Sequence, residues 1–95
     1  MFGWDPRKAI ANAKKHGVTF DAAATVFADP NALDGPDLAH SATEVRALRL
    51  GRAVDGRLLM VAYTVRKGDD DAENIRLISA RRASRRERAA YATQD

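Results

Sequence analysis

The sequence predicts an α+β domain, with two N-terminal helices packed on a three- or four-stranded antiparallel sheet and a C-terminal helix after the last strand. Two helix-start signals come first, at Asp5-Pro6 and at Thr19. A hairpin signal, Asp55-Gly56, then separates two runs with the character of strands. A third apolar run leads into a helix-capping sequence at Ser84. Because strands joined by hairpins pair with each other, an antiparallel meander is the simplest topology.

The composition indicates one small domain. The chain has 95 residues, of which 45% are hydrophobic, enough for a single core. It has no cysteine, and no apolar run approaches the ~18 residues of a membrane span, so we expect a soluble, cytoplasmic protein that does not enter a membrane. The two histidines, His16 and His40, stand in no ligand-spaced motif, and we expect neither a metal site nor a cofactor.

The first helix is predicted over Pro6–His16, after an extended start. Asp5 is a favoured N-cap, proline suits the first helical position, and Gly17 is a favoured stop. Lys14, Lys15 and His16 in the last turn complement the helix dipole. This structural role is the alternative to a direct role of these three side chains in binding a substrate.

The second helix is predicted over Phe20–Ala28, with Thr19 as its N-cap. Its apolar residues recur at the spacing of one buried face, which indicates a core position for both phenylalanines. Asp29-Pro30 ends the helix. Residues 30–43 show neither the apolar period of a helix nor that of a strand, so we expect an irregular connection. Long irregular connections are often functional. His40 lies in this segment and is therefore the more interesting of the two histidines.

The sheet is predicted from the middle of the chain. Residues 44–52 form a strand on which Glu44, Arg46 and Leu48 share a face. Asp55-Gly56 is expected to form a two-residue type I′ turn. The partner strand, residues 57–66, is apolar on both faces, which is typical of a central strand. The acidic residues 69–71 that follow indicate a solvated turn rather than a cation site.

The C-terminal third combines a strand, a basic corner and a helix. Six arginines stand against one glutamate between Arg76 and Arg88. Residues 41–95 carry 12 Lys/Arg and 8 Asp/Glu, whereas residues 1–40 carry 4 and 5, so the formal net charge of +3 arises in this half. Such a corner favours binding of an anionic polymer, with a solvated face paired to carboxylates as the alternative.

The order of motifs along the chain resembles one family. FGWDPRKAIANAKKHGVTFDAAATVFADP comes first, Glu44-Val45-Arg46 and Gly51-Arg52 follow, and ISARRASRRERAAY ends the pattern. Together they cover nearly the whole chain and are similar to the BrnT toxins of type II toxin-antitoxin systems. The resemblance implies a RelE-like fold and a metal-independent endoribonuclease that cleaves RNA and arrests translation. It also implies a cognate ribbon-helix-helix antitoxin, similar to BrnA, that forms a 2:2 complex with the toxin. Operator DNA would be bound only through this antitoxin.

The side chains suggest how such cleavage would work. A metal-free reaction needs groups that transfer protons and cations that hold the charge on the phosphorane. His40 and Glu44 are the predicted acid and base, in either order, and Arg46 and Arg81 are predicted to steady the phosphate. The residues predicted to bind the RNA backbone are Lys15, Arg52, Arg82 and Arg85.

Three alternatives remain open at the level of sequence. Glu44 and Arg46 lie two residues apart on one strand face, so they could instead form a structural ion pair. The whole basic corner could also belong to a non-enzymatic module that binds nucleic acid or a protein, or to a toxin that has lost cleavage and still binds its antitoxin.

Overall fold

A computed structural model of the chain describes residues 1–37, 45–67 and 73–94. The helices are α1 (Pro6–His16), α2 (Phe20–Ala24) and α3 (Arg85–Ala92), and the strands are β1 (Phe2–Gly3), β2 (Leu33–Pro36), β3 (Ala47–Arg52), β4 (Leu58–Lys67) and β5 (Glu73–Arg82). The strands form one sheet in the order β1-β5-β4-β3-β2, which confirms the α+β class and the central position of β4.

The prediction of three or four antiparallel strands is wrong in two respects. β1 pairs parallel to β5, with Phe2 opposite Ile75, so the five-stranded sheet is mixed. β2 lies within the segment predicted to be irregular and pairs antiparallel to β3. Its sequence LDGP is rich in residues depleted from strands, and Pro36 is tolerated because β2 lies at the edge of the sheet. Pairing with β3, rather than local propensity, therefore makes this strand.

The helix boundaries are close to those predicted. The Asp5 side chain accepts a hydrogen bond from the backbone N–H of Arg7, and Gly17, with a left-handed φ of 68°, caps the end of α1 after His16. The segment predicted as the second helix does end at Ala28, but it is divided into α2, Phe20–Ala24, and a 3-10 helix over Thr25–Ala28. Ser84 and Glu87 form the predicted capping box at the start of α3. None of the helices in the described ranges has the length and apolarity needed to cross a membrane.

The β3–β4 hairpin forms at the predicted place with a longer loop. The N–H of Ala53 donates to the carbonyl of Arg57 at 2.8 Å, and the N–H of Gly56 donates to the carbonyl of Ala53 at 2.9 Å. The loop therefore comprises residues 54–56, and Gly56, with a φ of 92°, takes its last position. The expected two-residue type I′ turn is wrong because Arg57 pairs with Ala53.

Alternation along β4 divides the core into two clusters. Leu59 and Val61 are fully buried and face α2, where they pack with a set of residues from the helices and neighbouring strands: Val18, Phe20, Ala23, Val26, Tyr63, Leu77 and Ala80. Leu58 faces the opposite side, where it packs with Leu50, Ala83, Met60 and Tyr91. Helices α1 and α2 therefore cover one face of the sheet, and α3 covers part of the other.

Candidate active site

A cleft of about 490 Å³ opens over the three central strands of the sheet. Its floor consists of apolar and small side chains from β3, β4 and β5, including Leu48, Met60 and Ala62. Charged and polar side chains complete its lining; they are Lys15, His16, Asp37, Arg46 and Arg81. We refer to this feature as the cleft. It brings together residues from three parts of the chain that are far apart in sequence.

The side chain of Asn12 fixes one wall of the cleft. Its Nδ2 donates to the carbonyl of Ala80 at 2.8 Å, and its Oδ1 accepts from the N–H of Ala80 at 3.0 Å. Asn12 thereby replaces the strand neighbour that the short β1 does not supply at this end of β5. Lys15 and His16 follow Asn12 by three and four residues, so they lie on the same face of α1 and reach the cleft.

The opposite wall comes from β2 and β3. The N–H of Asp37 donates to the carbonyl of Arg46 at 3.0 Å, which extends the ladder by one pair beyond Pro36 and Ala47. Arg46 and Asp37 therefore stand together at one end of this strand pair, and Asp37 is buried with 7% of its surface exposed. Arg46 and Leu48 both line the cleft, as expected of residues two apart on a strand.

Arg81 enters the cleft with a carboxylate partner. Its Nη1 and Nη2 donate to the two carboxylate oxygens of Glu87 at 2.7 and 2.8 Å. Glu87 also accepts from the N–H of Ser84 at 2.8 Å. The Arg81 guanidinium lowers the pKa of Glu87 to about 2, against its partial burial and with help from Ser84. Because the fork of Arg81 is matched to a carboxylate, it presents the geometry that also suits a phosphate.

The structure brings together only part of the predicted site. Lys15, Arg46 and Arg81 line the cleft. Arg85 is exposed in the first turn of α3 and does not line it. The predicted acid-base residues His40 and Glu44 lie outside the described residues, so the predictions for them still stand as predictions.

The predicted RNA-binding residues Arg52 and Arg82 lie elsewhere. They line a second cavity of about 460 Å³ next to the β3–β4 hairpin and α3, together with Arg57, Arg88 and Tyr91. We refer to it as the arginine cavity. Arg76, which the sequence groups with the same basic corner, lies opposite Gly3 towards the other end of β5. The prediction of one basic corner is therefore wrong, because Arg76 lies towards one end of β5 and Arg81 and Arg82 lie at the other.

No local pattern in the sequence marks Asp37 as a site residue, and the position of His16 in the last turn of α1 is also explained by the helix dipole. Nothing in the local pattern indicates that Asn12 is buried, although only 6% of its surface is exposed. Once Asn12 is known to be buried against β5, the helical spacing places His16 in the cleft. Asp37 was missed because β2, which carries it there, was not predicted.

The cleft combines positive charge with an imidazole. Lys15, Arg46 and Arg81 supply positive charge, and His16 supplies an imidazole, the side chain most often used for proton transfer. Among residues 1–37, 45–67 and 73–94, no group of three or more His, Asp or Glu side chains is placed to hold a metal ion.

Comparison with known proteins identifies the family of the chain. The model of the family described as "Ribonuclease toxin, BrnT, of type II toxin-antitoxin system" matches residues 4–87. The crystal structure of the Brucella abortus ribonuclease toxin BrnT is similar to this fold, with a TM-score of 0.64 and 25% sequence identity. The match covers 90% of this chain and 99% of the Brucella chain. No curated protein matches the sequence. With a family match that spans most of its length, the chain belongs to the BrnT family of ribonuclease toxins of type II toxin-antitoxin systems.

Proposed function

We propose that the cleft is the active site of a metal-independent, RelE-like endoribonuclease that cleaves RNA and arrests translation. The observation that carries this proposal is the convergence of three cations and one imidazole on a single cleft: Lys15, Arg46, Arg81 and His16. Cations on both walls can hold the negative charge that develops on the phosphorane. The protein thereby supplies the charge stabilisation that a metal ion gives in other nucleases.

The chemistry requires two proton transfers. The ribose 2′-hydroxyl loses its proton to a base and attacks the adjacent phosphorus, the bond to the 5′ oxygen breaks, and that oxygen gains a proton from an acid. The products are a 2′,3′-cyclic phosphate and a 5′-hydroxyl. His16 is in the cleft to carry out one of these transfers, and His40 and Glu44 remain the predicted candidates for the other.

The test is cleavage of single-stranded RNA by the purified protein in the presence of EDTA. We expect products that end in a 2′,3′-cyclic phosphate. Loss of cutting with the chelator and its restoration by a divalent ion would contradict the proposed mechanism. Binding of RNA without any cutting would instead favour the non-enzymatic binding module.

A substitution at His16 tests the site itself. His16→Asn should reduce kcat by roughly 10²–10⁴-fold, the usual contribution of a general acid or base. Lys14→Gln is the matched control, because Lys14 is exposed in the same helical turn and does not line the cleft. Equal activity of the two variants would remove His16 from the mechanism.

The partner in this proposal is a ribbon-helix-helix antitoxin. A two-fold antitoxin core would hold two toxin chains in a 2:2 assembly and place acidic and apolar side chains over the basic surface. Operator DNA would then be bound through the antitoxin. Co-expression with the neighbouring gene product should restore growth and yield a complex with the mass of two chains of each kind, measured by light scattering.

A further inference from the structure

We propose that the arginine cavity is a second anchoring site for RNA, where backbone phosphates of the substrate bind away from the cleft. This inference rests on the proposed function and extends it, because it assigns a site that the cleavage chemistry does not use. The cavity lies next to α3, and it shares no lining residue with the cleft.

The lining of this cavity carries an excess of positive charge. Four arginines line it, namely Arg52, Arg57, Arg82 and Arg88, and no carboxylate does so among the described residues. Arg57 forms an ion pair with Asp55, which lies outside the lining, at 2.9 Å. The other three have no ion-pair partner within the described ranges, and an anion placed among them lowers the repulsion between these like charges. The electrostatics of the cavity therefore favour an anionic ligand.

Two of the four arginines are held in place by the protein. The Nη1 of Arg52 donates to the carbonyl of Gly56 at 2.8 Å, and its guanidinium lies 5.4 Å from the centre of the Tyr91 ring. The Nε of Arg57 donates to the carboxylate of Asp55 at 2.9 Å, and its Nη1 donates to the carbonyl of Gly17 at 3.1 Å. These two side chains are thus positioned before any ligand binds, which lowers the entropic cost of binding.

The other two arginines have their donors available. Within the described ranges, Arg82 and Arg88 make no side-chain hydrogen bond or ion pair, and both are exposed. Arg82 lies close enough to Asp55 to lower its pKa, after the larger effects of the hydrogen bonds from Arg57. Guanidinium forks match the oxygens of a phosphate group in two places. Arg82 and Arg88 are therefore the groups that would bind the ligand directly.

The size of the cavity suits a ligand group, and its lining favours a nucleic-acid backbone over a protein segment. Ligand pockets in proteins have volumes of ~300–1,000 Å³, and the arginine cavity, at about 460 Å³, lies in that range. A protein partner would need an apolar centre. Here Leu58 and Ala83 are buried in the core, Tyr91 is half-buried against the Arg52 guanidinium, and only the small side chain of Ala92 is exposed. Binding of an RNA backbone requires only positive charge and hydrogen-bond donors, and the arginines supply both.

The experiment measures binding separately from cleavage. A labelled single-stranded RNA with 2′-O-methyl groups cannot be cut by 2′-hydroxyl attack, and its dissociation constant is measured at several salt concentrations. The double variant Arg82→Gln/Arg88→Gln should bind on the order of tenfold more weakly at ~0.1 M salt, and the slope of log K against log[salt] should fall by about 1.4, since each lost phosphate contact on a single strand contributes ~0.7.

The matched control is Arg7→Gln/Lys8→Gln, which removes the same charge from exposed positions at the start of α1 that line neither the cleft nor the cavity. If both double variants lose RNA affinity equally, only net charge matters and the inference is overturned. It is also overturned if Arg82→Gln/Arg88→Gln keeps its RNA affinity and instead loses the antitoxin. If the salt slope falls selectively in a protein that never cuts RNA, the anchoring site stands and the ribonuclease proposal fails.

Discussion

Arg81 and Glu87 form a two-point ion pair that joins the end of β5 to the first turn of α3, with N–O distances of 2.7 and 2.8 Å. The same carboxylate completes the capping box with Ser84. One glutamate therefore caps the helix and attaches it to the sheet through an arginine that lines the cleft. The ion pair is expected to stabilise the fold, and Arg81 is also proposed to act in cleavage. Separate variants can distinguish these two contributions.

Glu87→Gln should destabilise the protein in a pH-dependent way. Glutamine can still accept the capping hydrogen bond, so the change removes chiefly the ion pair, with an expected loss of about 1 kcal/mol at neutral pH. Because Arg81 lowers the pKa of Glu87 from 4.5 to about 2, this stabilisation is complete above pH ~4.5 and is lost as the pH falls towards ~2. Urea unfolding of both proteins between pH 7 and pH 3 measures it. A difference in unfolding free energy that stays constant over this range would contradict the assignment.

Arg46→Ala should abolish most of the activity while leaving the fold intact. The lost charge stabilisation in the transition state typically costs a few kcal/mol, or roughly a hundredfold in rate. Arg85→Ala is the control, because Arg85 is exposed on α3 and does not line the cleft. Its effect should be several-fold and should depend on salt. The measurements are single-turnover cleavage rates and melting temperatures for both variants. Equal losses of cleavage rate would show that Arg46 only attracts RNA.

Arg81→Ala should also lose activity, either because Arg81 contacts the phosphate or because it holds α3. Comparison with Glu87→Gln separates these two explanations. Both substitutions break the same ion pair, but only Arg81→Ala removes the guanidinium from the cleft. If Arg81 contacts the phosphate, cleavage falls about a hundredfold in Arg81→Ala and stays near the original rate in Glu87→Gln. Similar losses in both variants would mean that Arg81 acts by holding α3.

Asn12→Ala should destabilise the protein by about 3 kcal/mol, because it leaves several buried backbone groups without a hydrogen-bond partner. These are the N–H and carbonyl of Ala80 and the carbonyl of Val18, which accepts from Asn12 Nδ2 at 3.0 Å. Asn31→Ala is the control, since its exposed side chain makes no hydrogen bond in the part of the chain that the structure describes, and the expected change is within ~0.5 kcal/mol. Chemical denaturation compares the two, and equal midpoints would refute the role of Asn12 as a substitute strand neighbour.

Gly51→Ala should destabilise the protein by about 1–3 kcal/mol through overpacking. A Cβ at this buried position would lie 3.1 Å from the Cβ of Val26 and 3.2 Å from the Cβ of Ala32. Gly35→Ala in the neighbouring strand is the matched control, because a Cβ there meets nothing within 4 Å. The control should change the unfolding free energy by less than ~0.5 kcal/mol. If thermal denaturation shows equal shifts for both, β3 does not approach the 3-10 helix as closely as described.

Local sequence signals predicted the elements whose formation depends on nearby residues. The first helix, its Asp5 cap and its Gly17 stop were predictable because caps and stops act within a few residues. The Ser84 capping box was predictable for the same reason. The central strand was predictable because its residues are apolar on both faces. β2 was not predictable, since only pairing with β3 holds the sequence LDGP in an extended form.

Composition and motifs alone indicate a basic C-terminal half with arginines on β5 and α3, and the motifs also identify the family. The division of these groups between two surfaces depends on long-range packing. Asn12 binds the backbone of Ala80, across 68 residues of chain, and thereby brings His16 to Arg81. Arg82, the next residue after Arg81, instead lines the arginine cavity. Adjacent residues on a strand point to opposite faces of the sheet, so the partners of each arginine depend on what packs against that face.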